Sequence, residues 1–169
     1  MRVVVDDLAF FGTDAIVRPA TARLDPTVPA LRRLEQVGGP AFVARLVVQR
    51  ELPVGAAVVT GAGGDLPAEF VIHAIIQSET EPVSRRGVAR AWRSALERAQ
   101  EWEFARLSVP PLGTGAGNLT LEDAADVMVT ELHAHRAWAA LPAEVTLVVE
   151  RSEERDVFEA ALRRAGVAP

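Results

Sequence analysis

The chain predicts a three-layer α/β/α sandwich around a central mixed, mainly parallel sheet, and three observations lead there. Short β-branched runs alternate along the whole length with helix-like stretches of about ten residues or more. The 169 residues, 49% hydrophobic and 24% charged, suffice for one sizeable core and are too few to expect two. The Pro- and Gly-rich spots are loops a few residues long, with no repeat, low-complexity tract or linker, so residues 1–169 read as a single domain.

The elements follow in order. "MRVVV" and "DAIV" are short strands, and Asp25-Pro26 suits the start of a helix, Asp as N-cap and Pro in the first turn. A second helical stretch runs through "PAFVARLVVQREL". "GAAVVT" and "EFVIHAII" are two strands separated by the loop "GAGGDLPA". Val88, Trp92, Ala95 and Leu96, with Ala99 just beyond, recur at helical spacing in "SRRGVARAWRSALER", whose arginines are most simply its solvated face. "RLSVP" is a strand that runs into a glycine loop. Thr120 and Asp123 then have capping-box spacing ahead of Leu121, Ala125, Met128 and Leu132. "EVTLVVE" is the last strand, and Ser152, with Glu153 and Glu154 behind it, caps a last helix that ends near Gly166.

Composition excludes several chemistries. There is no cysteine, hence no disulfide, zinc-thiolate site or cysteine nucleophile. All 18 basic residues are arginine, so no lysine serves as a base, a Schiff-base former or a Walker-type phosphate ligand. A net charge of −5 and a pI near 5.3 do not favour nucleic acid as a partner. The apolar runs are too short for a membrane span, and "MRVVVDDLAF" meets acid too early for a signal peptide, so a cytoplasmic protein of bacterial type is the expectation. His133 and His135 lie two apart on a helix and face different directions, against a metal site.

The stretch "VPPLGTGAGNLTLEDAA" is the one that points to a ligand. Glycines at 113, 115 and 117 let the backbone take positive φ and come close to a bound group. Inward N–H groups beside a helix N-terminus bind an anion without a cationic side chain, so a phosphate is the natural ligand. A purely structural turn fits the same three glycines. It is not a dinucleotide fingerprint: the glycine spacing is wrong, the loop lies late in the chain, and no acid follows at the end of a second strand.

Three ordered blocks resemble the macro domain, the ADP-ribose-binding (Appr-1''-p processing-like) family, from about Val3 to Leu162. "DDLAFFGTDAIV" is similar to the family's opening Gly-Asp-Ile and its Val-Asp-Ala-Ile-Val. "PVGAAVVTGAGGDLPAEFVIHAI" resembles its middle block, and "PPLGTGAGN" its second phosphate loop. The resemblance implies that Asp7 accepts a hydrogen bond from the adenine amino group and that the N–H of Leu8 reaches the base. It implies further that Gly113, Thr114, Gly115, Ala116 and Gly117, flanked by Leu112 and Asn118, wrap the diphosphate and distal ribose. His73, in the "VIH" strand, matches a position that is more often packed than catalytic.

The first binding loop departs from the family. Where macro domains carry Asn-Ala-Ala-Asn and then a glycine run, this chain has Arg18-Pro19-Ala20-Thr21, then Leu24 and "DPTVPALRRL". The aromatic residue after the last strand is replaced by Glu150 and Arg151. Arg18 either points into the cleft, with its fork of donors on a phosphate or ribose, or faces solvent, and Thr21 can keep one hydroxyl near the ribose. Binding of ADP-ribose or a related nucleotide diphosphate without ordinary hydrolysis is the leading expectation, with no further cofactor and no metal. The alternatives are an ADP-ribosyl or O-acetyl-ADP-ribose hydrolase with a rearranged loop, and a degenerate structural domain whose cleft is blocked by Arg18, Pro19 or Leu31.

Overall fold

The computed structural model describes residues 1–115 and 118–167. Its sheet has six strands: β1 (Arg2–Val5), β2 (Ala15–Thr21), β3 (Ala57–Gly61), β4 (Phe70–Gln77), β5 (Arg106–Val109) and β6 (Glu144–Val149). Their spatial order is β1-β6-β5-β2-β4-β3, and every pair is parallel except β3 with β4. The helices are α1 (Arg32–Ala44), α2 (Arg85–Glu101), α3 (Leu121–Arg136) and α4 (Ser152–Arg164). The mixed, mainly parallel α/β/α architecture expected from the strand-helix alternation is the one observed.

Two-residue alternation along the strands assigns each side chain to a face. Val17, Ile72, Ala74, Leu107, Val109 and Leu147 join Trp92, Met128 and Phe158 in one core, under α2, α3 and α4. Ile16 and Val71 turn the other way and meet Leu34 and Phe42 of α1. Trp92 is fully buried, and its indole N–H donates to the Met128 carbonyl at 3.0 Å, which ties α2 to α3.

Three local expectations are corrected. No helix starts at Asp25: Pro26 bridges back to Ala20, the Thr21 hydroxyl accepts the Asp25 N–H at 3.1 Å, and helical turns begin only at Pro29. The carboxylate of Asp25 is therefore not what caps the chain there; a neighbouring threonine closes a turn instead. The segment "PAFVARLVVQREL" is not a separate helix either. Its first five residues form the second limb of α1, which is kinked at Gly39 (φ 70°, ψ −172°) next to Pro40, and the rest is irregular. At the last helix the N-cap is Arg151 rather than Ser152, because the Glu154 carboxylate reaches back to the N–H groups of Glu150 and Arg151 at 3.0 and 3.1 Å. The Thr120 cap forms as expected, with its hydroxyl on the Asp123 N–H at 3.1 Å.

Candidate functional site

β2 pairs with β5 only at Ala15–Leu107 and Ile16–Ser108. β2 continues to Thr21 while β5 gives way to Pro110-Pro111, and a crevice opens between them at the carboxyl ends of the parallel strands. This is where open α/β sheets place their ligands. The cleft has a volume of about 490 Å³. One end is formed by Asp6, Asp7 and Leu8 after β1 with Val149 and Glu150 at the end of β6. One wall is the loop after β5, with Pro110, Pro111, Thr114 and Gly115. The opposite wall is Pro19 together with Thr27 to Leu31, and Arg33 lies beyond it.

Of the residues singled out in the sequence as ligand-binding, Asp7, Leu8, Thr114 and Gly115 line this cleft, as do Pro19, Leu31 and Glu150, which were named there in other roles. Asp7 already has two partners: one carboxylate oxygen accepts the Ala9 N–H at 3.0 Å, and the other pairs with Arg33. Gly115 has φ +81°, and a Cβ there would lie 3.1 Å from Cγ1 of Val28, so the two walls meet in an apolar contact. Leu112, Gly113 and Asn118 hold the loop in place instead of lining the cleft. Leu112 is buried, and the amide of Asn118 donates to the Val83 carbonyl at 2.9 Å. Gly113 is needed for packing: its φ is +85°, and a Cβ would come within 2.8 Å of both Leu119 and Val88. Ala116 and Gly117 lie outside the described residues.

Arg18 takes neither of the orientations expected for it. It is fully buried under α1, directly across from His73 in the β2–β4 register. Its Nε–H donates to His73 Nδ1 at 2.7 Å, and Nη2 donates to the Leu24 carbonyl at 2.5 Å. Nη1 is without a hydrogen-bond partner and lies 3.6 Å from Glu35. The physical reason is that β2 does not stop at Val17. Once it runs on to Thr21, alternation puts Arg18 on the same face as Ile16 and Ala20, away from the cleft. Burial lowers the guanidinium pKa to about 10, against the opposing pull of Glu35 and Asp25, so it stays charged near neutral pH.

That contact also sets the tautomer of His73. Because Nδ1 accepts from Arg18, the ring proton sits on Nε2 and is given to the Thr60 hydroxyl at 2.8 Å. Burial, and then the Arg18 charge, hold the imidazole well below its ordinary pKa. Phe42 stacks over the ring with centroids 6.1 Å apart. His73 is a packed, neutral histidine. Thr21 is also turned away from the cleft: it accepts the Asp25 N–H and borders a separate small hollow with Arg23 and Glu51.

The wall from Thr27 to Ala30 and the Asp7–Arg33 pair were not singled out in the sequence, whereas Leu31 was named there only as a residue that could block the cleft. "DPTVPALRRL" does stand where the family's glycines would be, and that position in the chain was the available signal. Among the described residues there is no group of three or more His, Asp or Glu side chains that could hold a metal, and no helix long and apolar enough to cross a membrane.

Comparison with known proteins agrees with this fold. The Macro domain family model matches residues 20–128. A macro domain-containing protein of Caldanaerobacter subterraneus is 30% identical over 172 residues, covering 95% of this chain and 94% of its own length. An uncharacterized Mycobacterium tuberculosis protein is 30% identical over 157 residues, and the chain spans only 43% of that relative's length. Among solved structures, a variant of the Oceanobacillus iheyensis macrodomain with ADPR has a TM-score of 0.84 at 22% identity, covering 96% of this chain and 91% of that one. The Trypanosoma brucei macrodomain in complex with ADP-ribose has a TM-score of 0.81 at 18% identity, covering 95% and 68%. The chain belongs to the macro domain family.

Proposed function

We propose that the cleft binds ADP-ribose or a related nucleotide diphosphate and does not hydrolyse it efficiently. The observation that carries this reading is the open crevice of about 490 Å³ that has the Asp7 carboxylate and Leu8 at one end and the positive-φ loop at Thr114 and Gly115 along its side. The volume is ordinary for a ligand of that size. Pro19 and Leu31 border the crevice without filling it, and Arg18 is not among its lining residues, which speaks against the blocked, purely structural alternative. Solved relatives are described with ADP-ribose or ADP bound, which supports the same ligand class here.

The case against hydrolysis is chemical. General acid-base catalysis needs a titratable group within hydrogen-bond reach of the attacking water. Pro19 and Thr27 to Leu31 supply none, the cleft's carboxylates (Asp6, Asp7, Glu150 and Glu154) belong to the segments after β1 and β6 and not to this wall, and the positions matching the family's asparagines carry a buried Arg18 and an outward-turned Thr21. The test is calorimetric titration of ADP-ribose, with AMP and ribose 5-phosphate as comparators. The expected result is a micromolar dissociation constant, about −8 kcal/mol, lost in Gly115→Glu and weakened at least tenfold in Asp7→Ala. Absence of heat at millimolar ligand overturns the binding reading. Release of ADP-ribose from a modified protein, abolished by Asp7→Ala, overturns the non-catalytic one.

A further inference from the structure

We propose that this cleft reads the nucleoside and the diphosphate but not the sugar beyond them, so that ADP and ADP-ribose bind with nearly equal affinity. The inference rests on the nucleotide reading above and narrows it. A sugar is recognised through its hydroxyls. A site that hydrogen-bonds a hydroxyl rejects the analogue lacking it by about 10⁴-fold or more, whereas an apolar wall separates two such ligands only weakly.

The wall that faces the phosphate loop is of the second kind. Apart from the Thr27 hydroxyl, its side chains are Pro19, Val28, Pro29, Ala30 and Leu31, which offer a sugar no donor or acceptor. The two polar side chains that the chain carries on this strand are committed elsewhere. Arg18 is fully buried with Nε on His73 and Nη2 on the Leu24 carbonyl, and the Thr21 hydroxyl accepts the Asp25 N–H on the far side of the strand end. Both contacts also act on the wall itself. Leu24 adopts φ +63°, a conformation that L side chains rarely take, and the Arg18 bond to its carbonyl pins the turn from which Pro26 folds back onto Ala20. The chain then continues into Thr27 and Val28, and Val28 is set against Gly115. Arg18 is thus a positioning residue for an apolar wall. The side opposite keeps the backbone loop suited to a diphosphate, and the far end keeps Asp7.

The experiment is titration of ADP, of ADP methylated on its terminal phosphate to match the diphosphate charge of ADP-ribose, and of ADP-ribose itself. Each is titrated into the intact chain and into Thr27→Val, whose folding is checked by thermal melting. The expected result is three dissociation constants within about threefold of one another, in a ratio that Thr27→Val leaves unchanged. ADP-ribose binding tenfold or more tightly than the methyl ester, or losing tenfold selectively in Thr27→Val, overturns this inference and leaves the nucleotide site standing. If none of the three binds, the nucleotide reading falls and this inference falls with it.

Discussion

Replacing Arg18 with methionine tests the buried polar cluster under α1. The guanidinium makes two short hydrogen bonds, to His73 Nδ1 at 2.7 Å and to the Leu24 carbonyl at 2.5 Å. Methionine fills much of the same volume and donates nothing. Two buried acceptors are then left without donors, at about 1–3 kcal/mol each. Relief of the buried charge offsets part of that loss, since taking a guanidinium out of water is itself unfavourable. The net expectation is a destabilisation of about 2–4 kcal/mol, or roughly 5–15 °C in Tm for a domain of this size. Urea unfolding followed by tryptophan fluorescence gives the free energy directly. Amide hydrogen exchange should localise the damage to residues 22–31, which the Leu24 contact holds. Combining Arg18→Met with His73→Phe should cost less than the sum of the single changes, because the pair is then replaced by apolar groups together. A single-variant loss below about 0.5 kcal/mol, the size of an ordinary surface change, would refute the argument.

Three further outcomes follow from the same structure. His73 has a folded pKa well below 6.5, so below pH 6.5 the unfolded chain takes up a proton that the folded chain refuses, and stability falls as pH drops. The slope from this one group approaches about 1.4 kcal/mol per pH unit, and subtracting the profile of His73→Phe from that of the unsubstituted chain should isolate it. Gly113→Ala should destabilise by about 1–3 kcal/mol in chemical denaturation, from the strained φ of +85° and the collision of the new methyl with Leu119 and Val88. Trp92→Phe should cost about 1–3 kcal/mol in the same assay, since it removes the indole bond to the Met128 carbonyl and leaves space in a fully buried site.

The features legible in the sequence are the ones decided over short stretches of chain. The short β-branched runs marked all six strands, and the 3.6-residue spacing around Trp92 marked α2, because each pattern is complete within its own segment. The loop at Gly113 to Gly117 announced itself by composition, and the Thr120 cap by its spacing to Asp123. Asp7, Leu8, Thr114 and Gly115 were singled out through the family resemblance of short motifs, and they border one cleft.

What only the tertiary structure decided depends on contacts between distant segments. Whether β2 ends at Val17 or runs to Thr21 is settled by its pairing with β4, and that extension is what turns Arg18 inward to His73, 55 positions away along the chain. The cleft wall at Thr27 to Leu31 carries no motif. It exists because Pro26 bridges back to Ala20 and Val28 comes to rest against Gly115. Local propensity favoured a helix at Asp25-Pro26, and the turn closed by the Thr21 hydroxyl displaced it. The sequence by itself therefore determined the fold class and part of the lining of the candidate cleft. The tertiary contacts determined the rest, because alternation fixes a side chain's direction only over the residues that are paired as strand, and how far that pairing extends is decided by the neighbouring strands.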